Sequence, residues 1–332
     1  MVDWVYCSGL LRAREDNLLD FHTLQKWCDS QNNETFLKYI KDSPYSSLFN
    51  DTNLNDYEAV LEAHLISYVK EIKELVPDKS SLDTCFYFYD FSNLKLILKS
   101  MLMDIPVRWE TLSGFGPIAP EDLYSIIIEK KFDKLPEELA NGMKRAQNEF
   151  NRSVNIQAVE FILDSSWNDF RFSRIKKLDK NKIFENYFKI TIDLENIKNT
   201  LRAKRINMEI PLFQMVLLGH GSIPLFYFLD LYHNNLQVMI EEFKKSIYGK
   251  SLTSGLMDIY ENNSFTKLEL LIDQVLLDAM TPFRYVISGP EVIEEYFILK
   301  RLEIKNIRSI FTGRFNNIPP DIIKSRLREV KI

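Results

Sequence analysis

The chain has 332 residues, a net charge of −5, 45% hydrophobic residues, ten glycines, twelve prolines and three cysteines. That length suits two or three modest domains or one larger repeat assembly, the apolar share is ample for a packed core, and the scarcity of Gly and Pro favours helix. The charge excludes a global basic field for nucleic acid, and Cys7, Cys28 and Cys85, odd in number and without CxxC spacing, fit a reduced, cytosolic setting rather than a disulfide framework.

Met1 to Gly9 has no basic segment followed by an apolar run, so no signal peptide is expected. Leu10-Leu-Arg12-Ala-Arg14-Glu15 echoes Leu201-Arg202-Ala-Lys204-Arg205 and predicts a similar helix at the start. Residues 21–42 read as a short polar helix anchored by Trp27 and Phe36, and Pro44 to Asn55 as a loop. Val60, Leu61, His64, Leu65, Tyr68, Val69 and Ile72 recur with helical period over 57–75, which makes His64 a core or boundary histidine. A helix is expected over 86–110, ending before Gly114. Pro120-Glu121-Asp122 opens another, its acids placed where the helix dipole favours them, and residues 137–163 continue as helix.

A further helix covers roughly 187–217. Ile210 to Leu229 is the most apolar stretch, but Pro211, Gly219-His220-Gly221-Ser222 and Pro224 interrupt it. A membrane span needs about 20 mostly unbroken apolar residues, so two buried helix ends meeting at a turn are expected. Leu236, Met239, Ile240, Phe243 and Ile247 form one apolar stripe, and Leu268, Leu271, Ile272, Val275 and Ala279 another. The last long helix is expected to stop at Gly313, with a short capped helix from Pro319-Pro320-Asp321 towards Glu329. No strand-like alternation and no long low-complexity linker occurs. The class is all-α.

Three of these helices carry one motif: an acid, two residues, Asn, an aliphatic residue and a base. The copies are Asp90-Phe-Ser-Asn93-Leu-Lys95, Asp193-Leu-Glu-Asn196-Ile-Lys198 and Glu303-Ile-Lys-Asn306-Ile-Arg308. An aromatic pair precedes each (Tyr87-Phe88, Tyr187-Phe188, Tyr296-Phe297). A Gly with Ile and Pro follows each (Gly116, Ile118, Pro120; Gly221, Ile223, Pro224; Gly313, Ile318, Pro319). Gly suits a helix end and Pro the first turn of the next helix. Leu163-Asp164 and Ile272-Asp273 repeat more weakly. The repeat divides the chain into three helical units, 1–115, 116–220 and 221–332.

No catalytic constellation is present. Gly249-Lys250-Ser251 lacks the earlier Gly of a phosphate-binding loop, since position 244 is Lys, and it follows a helix. Gly114-Phe-Gly116 and Gly219-His-Gly221 lack the third Gly of a dinucleotide fingerprint and read as turns. His22, His64, His220 and His233 are not in metal-ligand spacing, and no Gly-x-Ser-x-Gly elbow occurs. No cofactor or metal is expected. The motif has two readings. In one, Lys95, Lys198 and Arg308 face a central partner from three related helices. In the other, which we prefer because repeated residues mostly serve packing, Asp90, Asn93, Asp193, Asn196, Glu303 and Asn306 satisfy each other or a neighbouring helix end, and the bases are solvated.

With Tyr6 to Glu15, the three motifs and Asn306-Ile-Arg308-Ser-Ile310-x-x-Gly313, the whole chain resembles the C subunits of the prokaryotic V-type (A-type) rotary ATPases, relatives of the d subunit of the eukaryotic enzymes. The family has Gly-Lys where this chain has Gly313-Arg314, a difference that keeps the charge. The resemblance implies three similar helical lobes in a pseudo-threefold funnel. It implies a non-catalytic rotor component on the cytoplasmic face of the membrane, joining the D–F central shaft to the proteolipid (c/K) ring and transmitting torque for ion transport. A helical-repeat adapter unrelated to any ATPase would show the same periodicity, and a helical enzyme would show a pocket of titratable groups.

Overall fold

The computed structural model describes residues 3–49, 56–79, 83–178 and 182–329. Residues 50–55 of the expected loop and the side chain of Cys85 lie outside the described residues. Sixteen α-helices and no strand occur among the described residues, so the fold is all-α. In chain order these are α1 (Trp4–Glu15), α2 (Phe21–Cys28), α3 (Asn33–Lys41), α4 (Tyr57–Leu75), α5 (Asp83–Leu102), α6 (Pro120–Ile128), α7 (Glu137–Ser153), α8 (Ile156–Leu178), α9 (Ile183–Arg205), α10 (Ile210–Val216), α11 (Leu225–Tyr232), α12 (Leu236–Lys245), α13 (Gly249–Asn262), α14 (Thr266–Ala279), α15 (Pro290–Phe315) and α16 (Pro320–Lys324). The chain forms two compact units, one of residues 80–250 and one that joins residues 1–79 to residues 251–332.

Several expected helices are divided by local chemistry. The polar helix at 21–42 is two, because Asn32 accepts from the Thr35 N–H and starts α3 afresh. Helix 137–163 breaks at Val154, which takes φ 51° and ends α7; Asn155 then accepts from the N–H groups of Gln157 and Ala158 and caps α8. The helix at 86–110 ends at Leu102 and the one at 187–217 at Arg205, with α10 starting anew at Ile210.

The three motif helices, α5, α9 and α15, end by one device. Asp104, Asn207 and Asn317, each eleven residues past its motif Asn, take φ of 53°, 49° and 52°. The next N–H reaches back to a carbonyl inside the helix: Ile105 to Ser100 (2.9 Å), Met208 to Ala203 (2.9 Å) and Ile318 to Gly313 (2.8 Å). That is the Schellman arrangement, and it satisfies carbonyls that the helix end would leave bare. Gly313 is therefore not the stop the sequence suggested. It lies inside α15, in the row of small residues Ser100, Ala203, Gly313, and a Cβ there would stand 2.6 Å from Ile323 Cγ1 of the packed α16.

Each unit has its own core. In residues 80–250, Leu94, Ile97 and Leu98 of α5 pack with Leu123 and Ile127 of α6, Leu139 and Met143 of α7, and Val159 and Leu163 of α8. In the other unit the two ends of the chain share one core: Leu24, Trp27, Phe36 and Ile40 pack with Ile304, Ile307, Ile310 and Phe311 of α15, with Ile323 of α16 closing it. Phe36 meets Phe311 edge-on at 5.0 Å and Tyr57 stacks on it at 4.9 Å, a geometry that favours ring quadrupoles. Cys7 and Cys28 are buried, and burial raises both thiol pKa values, Cys28 to about 11, so they behave as small hydrophobes.

Candidate functional site

The motif Asn makes the same pair of bonds in all three copies. Asn93 donates to the Ser113 carbonyl (2.7 Å) and accepts from the Ser113 N–H (2.9 Å). Asn196 does the same with Leu218 (2.8 Å both ways), and Asn306 with Arg328 (2.9 Å both ways). The partner lies 20, 22 and 22 residues downstream. A side-chain amide has the donor and acceptor geometry of a peptide group, so one Asn closes a loop as a strand neighbour would. All three Asn side chains are buried.

The acid secures the far end of that loop. Asp90 accepts from the Ile118 N–H (3.2 Å) and Asp193 from the Ile223 N–H (2.9 Å). Here the Gly repeat has its reason. A Cβ on Gly116 would stand 1.6 Å from Asp90 Oδ1, and one on Gly221 2.3 Å from Asp193 Oδ1. In the third copy the N-terminal segment supplies the donor: the Leu19 N–H donates to Glu303 at 2.7 Å. A tyrosine holds the second carboxylate oxygen in two copies, Tyr248 on Asp193 (2.8 Å) and Tyr45 on Glu303 (2.7 Å). Burial pushes the Asp193 carboxyl up, opposed by the Ile223 N–H and the Tyr248 hydroxyl. So the acid and the Asn reach out to one loop; the helix-end reading of the sequence becomes a loop clamp.

The three bases are engaged by carboxylates. Lys95 of α5 pairs with Asp164 of α8 at 2.7 Å, Arg308 of α15 with Glu58 of α4 at 2.8 Å, and Lys198 with Glu195 of its own helix at 2.7 Å. α8 and α4 are each the helix that precedes a motif helix, so the first and third bases each tie one motif helix to the helix that leads into another. The weaker repeat has a matching use: Asp164 holds Lys95, and Asp273 holds both Lys305 and Arg328.

Grooves sit against the three loop donors. The one at Ile118 is polar, about 450 Å³, and lined by Asp122, Ser125, Glu129, Lys131 and Lys134. The one at Leu19 is closed, about 10 Å³. The one at Ile223 is about 510 Å³ and apolar, with Pro224, Phe226, Tyr227 and Ile247. Phe226 is 66% and Ile247 78% exposed. Ile247 therefore leaves the stripe on which periodicity placed it, because α12 ends at Lys245. His64 lies in the other unit beside Tyr45 and Tyr68, with Nε2 buried and without a hydrogen-bond partner among the described residues. Burial, then the Lys300 charge, lowers its pKa to about 4, so it is a neutral boundary histidine.

The family model for the ATP synthase (C/AC39) subunit matches residues 7–326. The chain belongs to that family. It is similar to the C subunit of the V-type sodium ATPase of Enterococcus hirae, 21% identical over 97% of this chain and 97% of that protein. The C subunit of the A-type ATP synthase of Methanocaldococcus jannaschii is 22% identical over 98% of this chain and 86% of its own length, and that of Methanosarcina acetivorans 23% over 98% and 92%. In this C/AC39 member, Ser113, Leu218, Arg328, Leu19, Tyr45 and Tyr248 complete the clamps, and sequence reasoning missed all six. Four of them act through the backbone and so leave no residue preference. The two tyrosines lie at unequal sequence distances from their acids and escape a repeat search. Among the described residues no helix is long and apolar enough to cross a membrane, and no group of three or more His, Cys, Asp and Glu side chains is placed to hold a metal ion.

Proposed function

We propose that the protein is a non-catalytic central-rotor component of a V/A-type rotary ATPase. It seats the D–F shaft on the proteolipid ring at the cytoplasmic face of the membrane and passes torque between them. The observation that carries this reading is the family match along nearly the whole chain, with relatives named as C subunits of a sodium ATPase and of ATP synthases. The clamps support it physically. A torque-bearing adapter must not hinge, and each motif helix is tied near its middle to a loop by the hydrogen bonds of a buried Asn. The exposed apolar groove of Phe226 and Ile247 is the kind of surface that protein partners cover. We further propose three lobes about a pseudo-threefold axis, divided near 115 and 220, the third completed by the N-terminal segment.

The test is a pull-down with purified D–F shaft, followed by size-exclusion chromatography with light scattering. A one-to-one complex is expected. Two folded components that do not associate would return the chain to the alternative, a helical-repeat adapter with another partner. Replacing Lys95, Lys198 and Arg308 together with Ala decides their role. Weaker shaft binding at low salt makes them interface residues; unchanged affinity with an intact fold leaves them as partners of Asp164, Glu195 and Glu58 within the fold.

A further inference from the structure

The turns that lead into the three motif helices are equivalent by the repeat and differ in charge. Before α5, Lys70, Lys73 and Lys79 are balanced by Glu71, Glu74 and Asp78. Before α15, residues 279–289 hold one charged side chain, Arg284. Between α8 and α9, residues 171–182 hold Arg171, Arg174, Lys176, Lys177, Lys180 and Lys182 against a single acid, Asp179, in a chain of net charge −5.

Helix stability accounts for only part of this. Lys176 and Lys177 in the last turn of α8 are favoured by the helix dipole. Lys182 stands at the N-cap of α9, the positive end, where a cation is disfavoured, and it makes no capping bond. Lys176, Lys177 and Lys182 are exposed and pair with no carboxylate among the described residues. They do share one surface. Lys189 hydrogen-bonds Glu185 at 2.6 Å, and Lys176 and Lys182 add to the field that lowers that carboxyl's pKa. The neighbouring cations lie on aromatic rings: Arg171 over Phe188 at 5.0 Å, Arg174 over Phe170 at 4.8 Å, and the exposed Lys176 ammonium over Phe172 at 4.8 Å.

We propose that the exposed lysines at the α8–α9 tip, Lys176, Lys177 and Lys182, bind the anionic headgroups of the membrane surface. The chemistry favours a lipid surface over an acidic protein. Lysines are compact, hydrated charges on flexible stems, suited to mobile headgroups, whereas fixed carboxylates are better matched by arginine forks, and the arginines here are turned to aromatic rings. The three lysines present their charge at the end of α8 and the start of α9. The proposal rests on the ATPase reading only in that the protein must work beside a membrane.

The experiment is co-sedimentation of the purified full chain with vesicles of phosphatidylcholine alone, or of equal parts phosphatidylcholine and phosphatidylglycerol. Binding to the anionic vesicles alone, weakened by added salt, is expected. Each lysine near an anionic surface contributes about five-fold, so Lys176→Gln, Lys177→Gln and Lys182→Gln together should weaken binding on the order of 100-fold. Lys26→Gln, Lys38→Gln and Lys41→Gln, the same charge change on exposed residues of α2 and α3, should leave it nearly intact. No binding to anionic vesicles, or equal loss in the two triple variants, overturns the proposal. So does a tip variant that keeps vesicle binding and loses assembly with ring or shaft in detergent, which would make the partner an acidic protein. A wild-type chain that binds vesicles and fails the shaft pull-down would sink the rotor reading and leave the lipid site standing.

Discussion

At the scale of single residues, the acids and asparagines of the motif are buried polar groups that each have a named partner. Asn196→Ala would leave the Leu218 N–H and carbonyl without their amide. It should cost about 2–3 kcal/mol in urea denaturation, since a buried polar group stripped of its partner loses more than the mean value of a hydrogen bond. Lys198→Ala in the same helix removes a half-buried i,i+3 ion pair and should cost about 1 kcal/mol or less. Equal effects would mean that the Asn clamp is not what holds the loop. Gly221→Ala forces its new methyl onto Asp193 and should cost about 2 kcal/mol or more, with loss of the Ile223 bond seen as faster amide exchange there.

His64 supplies a pH dependence at the same scale. Its pKa is lowered from 6.5 to about 4, so below pH 6.5 the unfolded chain takes up a proton that the folded one refuses. Stability from this group is thus full above pH 6.5, falls as pH drops towards 4, and is level below that. His64→Leu should flatten the midpoint-against-pH curve between pH 6.5 and 4. A variant with the wild-type slope would show that other groups govern acid stability. Periodicity placed His64 on the packed stripe correctly; its surroundings are completed by Tyr45 and Lys300, which come from other parts of the chain.

At the scale of elements, the helix ends were the least legible feature. Gly and Pro are the strongest punctuation in a sequence, and Gly313 was an attractive stop. The three motif helices instead end on Asp104, Asn207 and Asn317 in left-handed conformation. Asn and Asp tolerate that conformation through local hydrogen bonding, but they also occur freely in helices, so composition does not mark them. Asn317→Gly should be neutral or slightly stabilising, while Asn317→Val should cost about 1–2 kcal/mol and fray the end of α15 in hydrogen exchange. A tolerated Val would mean that α15 ends elsewhere in solution. The existence and order of the long helices, and the interruption between Ile210 and Leu229, were legible, because they depend on apolar period and on proline.

At the scale of the whole molecule, the chain's ends are one structure. Leu24, Trp27, Phe36 and Ile40 cover the apolar face of α15, and Leu19 and Tyr45 hold Glu303. Removing residues 1–49 should therefore expose Ile304, Ile307 and Phe311 and open α15 to hydrogen exchange, although the two segments stand at opposite ends of the sequence. Amides of α9, whose clamps are closed by residues 218–248, should keep their protection. Protection of α15 that survives the truncation would show that the N-terminal segment is not part of that core. Limited proteolysis tests the proposed single body: stable fragments cut near 115 and 220 would count against it.

Helical class, the threefold recurrence and its register belonged to the amino-acid order, because the apolar period and the acid, Asn and base spacing are set along one helix and need no distant partner. What the acid and Asn bind, why Gly116 and Gly221 recur while Gly313 does another job, and which end of the chain completes the third copy came from the packed molecule. The reason is physical: those bonds run to backbone groups 20 to 30 residues away, or to the opposite terminus, and a backbone N–H carries no residue identity by which a sequence could announce it.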